Sequence, residues 1–223
     1  LKQGEKILTE GHLFCMIASG GAPLRREQQK RQNRARLIEA ALACFSEEGY
    51  DRVTVDDITR RAGLAKGTFF NYFRSKADVL LQVGAVQQEW MIDEIARLQQ
   101  EDDTPVPEAV TRLMVSAATR FPLTRPLLRA MHQAALQAPD ISEEQVRHFV
   151  QVGAALIPLC ERGQAKGELT RALSALDIAR HLMQAYSGAL LTWSLTSEPE
   201  TLGELVERTF IYLFEGLKPR LPT

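Results

Sequence analysis

The stretch Thr54-Val-Asp-Asp-Ile-Thr-Arg-Arg-Ala-Gly63, continued by Leu64-Ala-Lys-Gly-Thr-Phe-Phe-Asn-Tyr-Phe73, decides the fold. Thr54 with Asp57 three residues on has the form of a capping box, in which a hydroxyl satisfies a helix-start N–H and a carboxylate reaches back. Val55, Ile58 and Ala62 then share one helical face. Gly63 supplies a chain reversal with Leu64 packing beneath it, and a second short helix is predicted over 66–72. Phe69 and Phe73 are four residues apart and turn inward together onto Ile58 and Ala62. Lys66, Gly67, Thr68, Phe70, Asn71 and Tyr72 are left wholly or partly outside that core.

Upstream, Leu37 to Tyr50 carries Ile38, Ala41, Leu42 and Phe45 at helical spacing, and Gly49 ends the run. Cys44 lies beside this stripe and reads as a small buried hydrophobe. Four further capping-box patterns follow, at Ser75–Asp78, Ser142–Gln145, Ser174–Asp177 and Thr201–Glu204, each ahead of an amphipathic stretch. Alternating β-branched runs and hairpin signals are missing. The expectation is an all-α chain with helices near 25–48, 55–62, 66–72, 76–100, 105–120, 124–137, 142–165, 174–196 and 201–217. Ser19-Gly-Gly-Ala-Pro23 reads as a flexible joint, and residues 1–23 as a loosely packed leader.

At 223 residues and 25.0 kDa, with 45% hydrophobic and 25% charged residues, the chain suits two modest domains and not wholesale disorder. Cys15, Cys44 and Cys160 are scattered without CxxC or Cys/His company, which argues against a disulfide scaffold or a zinc site. Apolar runs are too short or too interrupted for a bilayer span of roughly 20 residues. A secretory pattern is missing as well, so a soluble, cytoplasmic chain is expected, with no membrane partner. Net charge is −1, but residues 24–76 hold 12 Lys/Arg against 7 Asp/Glu, whereas 77–223 hold 13 against 19. A basic module therefore precedes a larger acidic one.

Two short helices around a glycine turn in the basic third form a helix-turn-helix. An ordinary helical hairpin accounts for Phe69 and Phe73 but not for Lys66, Thr68, Asn71, Tyr72 and Lys76 sharing one exposed region. Gly67 leaves no side chain to block a close phosphate backbone. Residues 37–80 resemble the DNA-binding domain of the tetracycline-repressor (TetR) family of bacterial transcription regulators. The resemblance rests on Ala40-Ala41, Phe45 and Gly49, on Thr54, Ile58 and Ala62-Gly63, on Lys66-Gly67-Thr68, and on Phe73, Ser75-Lys76 and Leu80. It implies DNA-binding roles for Thr54, Lys66, Gly67, Thr68, Phe70, Asn71, Tyr72 and Lys76. Thr68, Tyr72 and Lys76 would contact phosphates, and Lys66, Gly67 and Asn71 would face the major groove. Arg25, Arg26, Lys30 and Arg31 offer a basic arm or simply a solvated helix start. Two departures from the family pattern stand out: Ala65 replaces the usual Ser or Thr cap, and Phe70 replaces Tyr, which leaves it able to touch a thymine methyl.

The resemblance divides the chain into a leader (1–23), a helix-turn-helix domain (24–76) and a helical effector-binding and dimerisation domain (77–223). Its expected partners are a double-stranded palindromic operator, a small-molecule effector and a second copy of the chain; no cofactor or metal is expected. A helix-turn-helix monomer reads only one half-site, so pairing should be functional. Leu182, Ala185, Ala189 and Trp193 on one helix, with Leu205, Phe210 and Leu213 on the next, form apolar stripes suited to an intersubunit four-helix bundle or to the monomer's own core. For the ligand, Trp90, Met114, Phe121 and Met131 supply apolar surface, as do Phe149 and Met183, with His132 or Tyr186 as polar anchor. No GxSxG, HExxH, P-loop or GxGxxG pattern supports an enzyme. A DNA-independent helical adaptor or small-molecule-binding protein is the alternative. The hinge between reading head and sensor is expected in residues 76–100.

Overall fold

The computed structural model describes residues 25–121 and 123–219, apart from the side chains of residues 25, 26 and 140. The leader 1–23 with Cys15, and the Arg25 and Arg26 side chains of the basic arm, lie outside the described residues. The described chain is helical: α1 (Arg25–Glu48), α2 (Val55–Ala62), α3 (Lys66–Phe70), α4 (Lys76–Leu98), α5 (Val106–Arg120), α6 (Arg125–Gln137), α7 (Pro139–Ala165), α8 (Ala175–Leu195) and α9 (Leu202–Gly216). This all-α architecture is the one expected, and most boundaries fall within two residues of their predicted positions.

The caps explain that agreement. Full capping boxes stand at Thr54–Asp57 and Thr201–Glu204. At Ser174 the hydroxyl accepts from the Asp177 N–H at 3.0 Å. At the end of α2, Gly63 sits in the left-handed region (φ 63°, ψ 38°). The Leu64 N–H then reaches the Thr59 carbonyl at 2.9 Å and the Gly63 N–H the Arg60 carbonyl at 3.2 Å, which is a Schellman closure. The Ser142 box is a correction: α7 already begins at Pro139, and Ser142 lies inside it. Proline in a first turn lacks only an N–H that would have no helical partner, so Pro139 starts the helix early.

Packing divides the chain into two compact units. The first comprises the described residues up to Val86 together with Arg120–Glu144. Its core joins Ile38, Ala41 and Phe45 of α1 with Ile58, Phe69 and Phe73, with Val79, Leu80 and Val83 of α4, and with Leu127, Ala130 and Ala134 of α6. The division expected at 76/77 therefore differs from the packing, because the start of α4 and the whole of α6 share the head's core. Amphipathic patterning says that a helix buries one face, not which neighbour it buries that face against.

The second unit spans Gln87–Thr119 and Gln145 onwards. Its buried residues include Met91 and Ile95 of α4, Val110 and Met114 of α5, Leu156 of α7, and Leu182, Phe210 and Phe214 of α8 and α9. Arg162 closes the end of α4 by donating to the carbonyls of Leu98 (2.9 Å), Gln99 (3.3 Å) and Glu101 (2.7 Å), groups that the helix itself cannot satisfy. Cys160 is fully buried, and burial pushes its thiol up to about 12. No helix among the described residues is long and apolar enough to cross a membrane.

Candidate nucleic-acid interface

The short helix α3 is anchored from inside. Phe69 is fully buried, its ring 5.3 Å from that of Phe73, and both belong to the head's core. The helix ends at Phe70 rather than at Tyr72, with Asn71 as C-cap in the right-handed region. Ala65 makes no side-chain cap bond, so α3 relies on Phe69 packing rather than on its own N-terminus. Around that anchor, Lys66, Gly67, Phe70 and Asn71 are exposed, and Thr68 is half-buried.

Each expected DNA-binding group has a definite place. Lys66 pairs across to Asp56 of α2 at 2.9 Å. A Cβ built on Gly67 meets no atom within 4 Å, and its φ lies outside the left-handed region. Tyr72 is half-buried and packs against the head's core. The Thr54 hydroxyl accepts from the Asp57 N–H and donates to the Asp57 carboxylate, so it serves the cap. Those bonds from Thr54 hold the Asp57 carboxyl below its usual range.

Lys76 differs from its expected role. Its ammonium donates to the carbonyls of Tyr50 (2.6 Å), Val53 (2.9 Å) and Asp51 (3.3 Å) and lies 4.3 Å from the centre of the Tyr50 ring. Three N–H groups meet three carbonyls, so none is left over for a phosphate in this geometry. Burial lowers the Lys76 pKa, with the Asp51 charge offsetting part of the shift. Lys76 thereby fixes the α1–α2 connection to the first turn of α4.

Sequence reasoning missed the groups around this clamp. Asp51 accepts from Gln133 of α6. Gln82 of α4 accepts from Arg34 of α1 at 2.8 Å and donates to the Tyr72 carbonyl at 3.4 Å. Arg61 forms a double hydrogen bond with Glu47, which raises its pKa and lowers that of Glu47. These pairs are 10 to 82 residues apart in sequence, so no local spacing pattern marks them. In the basic arm, Lys30 is exposed and pairs with Glu27 at 3.3 Å.

The expected ligand residues divide between the units. Phe121, Met131 and His132 fall in the first, where Met131 packs against the head's core. Burial lowers the His132 pKa, partly offset by the Leu128 carbonyl. Trp90, Met114, Phe149, Met183 and Tyr186 fall in the second. There the Tyr186 hydroxyl is buried and accepts from Gln87 at 3.2 Å, and Gln87 also donates to the Ala117 carbonyl at 3.1 Å. Burial drives the Tyr186 pKa well above its ordinary value.

Of the expected dimer stripe, Leu182, Ala189 and Phe210 are buried within the chain itself, and Ala185, Trp193, Leu205 and Leu213 are half-buried. Leu182, Ala189 and Phe210 thus belong to the chain's own core, and α8 and α9 pack on each other. The large apolar side chains left outside are Leu176, Leu191 and Leu195 of α8 and Ile211 and Tyr212 of α9. Gly188 stands one turn before Leu191 and two turns before Leu195 on the same face, again with open space where a Cβ would be.

Residues 37–83 match the family described as bacterial regulatory proteins, tetR family. The transcriptional repressor KstR of Mycolicibacterium smegmatis is 29% identical over 167 residues, covering 74% of this chain and 78% of that one. The fold matches the fatty acid degradation regulator FadR of Bacillus halodurans, with a TM-score of 0.71 at 21% identity, over 91% of this chain and all of that one. FadR of Thermus thermophilus, a TetR-family repressor solved with lauroyl-CoA, is 26% identical with a TM-score of 0.62, over 85% of this chain and 97% of that one. Residues 37–83 thus belong to the DNA-binding domain of the tetR family of bacterial regulatory proteins, and the helical fold matches these structures along most of the chain.

Proposed function

We propose that the chain is a ligand-responsive repressor that binds a palindromic operator as a homodimer. Gly67 carries this reading. Glycine in a helix costs about 0.5–1 kcal/mol relative to alanine. Nothing inside the protein requires it here, since neither backbone conformation nor neighbouring atoms exclude a methyl group. A duplex approaching α3 closely does require it. Lys66 and Asn71 flank the glycine and face the major groove; Thr68 and Tyr72 take phosphates. Lys76 serves this interface by holding the head together.

Dimerisation uses the outward face of α8 and α9, centred on Gly188, Leu191, Leu195, Ile211 and Tyr212, in place of the buried Leu182, Ala189 and Phe210. Exposed apolar side chains in one patch mark an interaction surface, and Gly188 lets a partner helix come close. Pairing two heads about 34 Å apart, or a multiple of that, lets the protein read two half-sites. The effector site belongs to the region after residue 77, with the Gln87–Tyr186 pair as its polar anchor in an apolar interior. Fatty acyl-CoA thioesters are the first effectors to test, on the strength of the lauroyl-CoA complex of the Thermus thermophilus relative. An effector must favour one spacing of the two heads, and a coupling of about 1–3 kcal/mol changes operator affinity about 5–150-fold.

Selection of bound fragments from a random duplex pool at fixed salt tests the reading. An enriched inverted repeat, bound by a dimer and released by acyl-CoA, is expected. A folded dimer that enriches no sequence overturns it, and release by no acyl-CoA of any chain length removes that effector class.

A further inference from the structure

The short helix α3 exposes an aromatic ring that the protein's own packing covers only in part. Phe70 is 54% exposed, whereas its neighbour Phe69 is fully buried. The two rings meet edge to face, 5.5 Å apart at 81°, and Phe69 is wedged in turn against Phe73. The Phe70 ring therefore rests by one edge contact on a core side chain and presents the rest of its surface outward. It stands between Gly67, where contact can be close, and Asn71, a polar side chain able to read a base edge.

A phenyl ring has no donor or acceptor. In the major groove every base edge presents hydrogen-bonding atoms, and one apolar feature exists, the C5-methyl of thymine. Against guanine, adenine or cytosine the ring strips water from polar atoms and returns nothing, which disfavours those bases. Against thymine it buries a methyl group. We propose that Phe70 is a specificity-determining residue that reads the C5-methyl of one thymine in each half-site. This rests on α3 being the recognition helix. Burying one such group is worth about fourfold in affinity per half-site, hence about fifteenfold for a dimer on two half-sites.

The test replaces each deoxythymidine of the selected operator by deoxyuridine, which removes the methyl and nothing else. Affinity is measured at one salt concentration for the full-length wild type, Phe70→Ala and Phe70→Leu. One position per half-site is expected to weaken wild-type binding by about fourfold. That sensitivity should disappear in Phe70→Ala and persist, reduced, in Phe70→Leu. Thermal unfolding of all three should differ by a few degrees at most, since the ring is half exposed and its edge-to-face contact with Phe69 is all that is lost. If deoxyuridine has no effect at any position, or the same effect in wild type and Phe70→Ala, the proposal is overturned. Absence of any enriched sequence overturns the recognition-helix reading itself, and this inference with it.

Discussion

Replacing Gly67 by alanine separates folding from DNA binding more cleanly than any other single change. The added methyl enters space with no atom within 4 Å and needs no backbone adjustment, because φ at this position lies outside the left-handed region. Alanine should therefore stabilise the head by about 0.5–1 kcal/mol, through helix propensity and a less flexible unfolded chain. For a chain of this length that raises Tm by about 1–4 °C. On a duplex the same methyl occupies the gap through which α3 approaches. If the misfit costs what one extra methylene costs in a packed interface, about 1–3 kcal/mol per half-site, affinity falls about 5–150-fold per half-site. Calorimetric or dichroic melting gives the first quantity, and fluorescence anisotropy with the selected operator gives the second. Gly67→Ala binding as well as wild type while melting higher would show that the glycine does not serve contact with DNA. A lower Tm would show that the space is not open.

Lys76→Met should lower stability by about 1–3 kcal/mol, because three carbonyls lose a charged donor. The salt slope of DNA binding should stay as in wild type, whereas a true phosphate contact reduces it by about 1; titrations at several salt concentrations decide. Leu191→Asp combined with Tyr212→Asp should give a folded monomer in sedimentation and remove binding to the two-half-site operator. Phe210→Ala should instead unfold the second unit more readily, by about 3–5 kcal/mol in chemical denaturation, because the ring is core. Both capping-box carboxyls, Asp57 and Glu204, are depressed by hydrogen bonds from Thr54 and Thr201. Their stabilisation is complete above the ordinary values of 3.8 and 4.5 and is lost as pH falls through the lower folded values. Acid melting of the double variant Asp57→Asn, Glu204→Gln should show a weaker pH dependence in that window.

What the chain's sequence determined by itself is local in origin. Helix class, most boundaries and the reading-head motif follow from capping pairs three residues apart, apolar faces of period 3.6 and the αL glycine at 63. These depend on neighbours within one turn, so spacing in the sequence encodes them. Tertiary structure decided where each buried face goes. The sequence shows that Leu182, Ala189 and Phe210 form an apolar stripe, but a stripe against another helix of the same chain and one against a partner have the same periodicity; burial showed the first. It shows Lys76 at a helix start in a basic segment, but only the folded loop brings the Tyr50, Asp51 and Val53 carbonyls around its ammonium. Nor does any spacing show that α6, some fifty residues beyond the helix-turn-helix, joins its core through Leu127, Ala130 and Ala134. Long-range packing chooses among faces that local chemistry leaves equivalent, and that choice separates a residue that reads DNA from one that holds the reader in place.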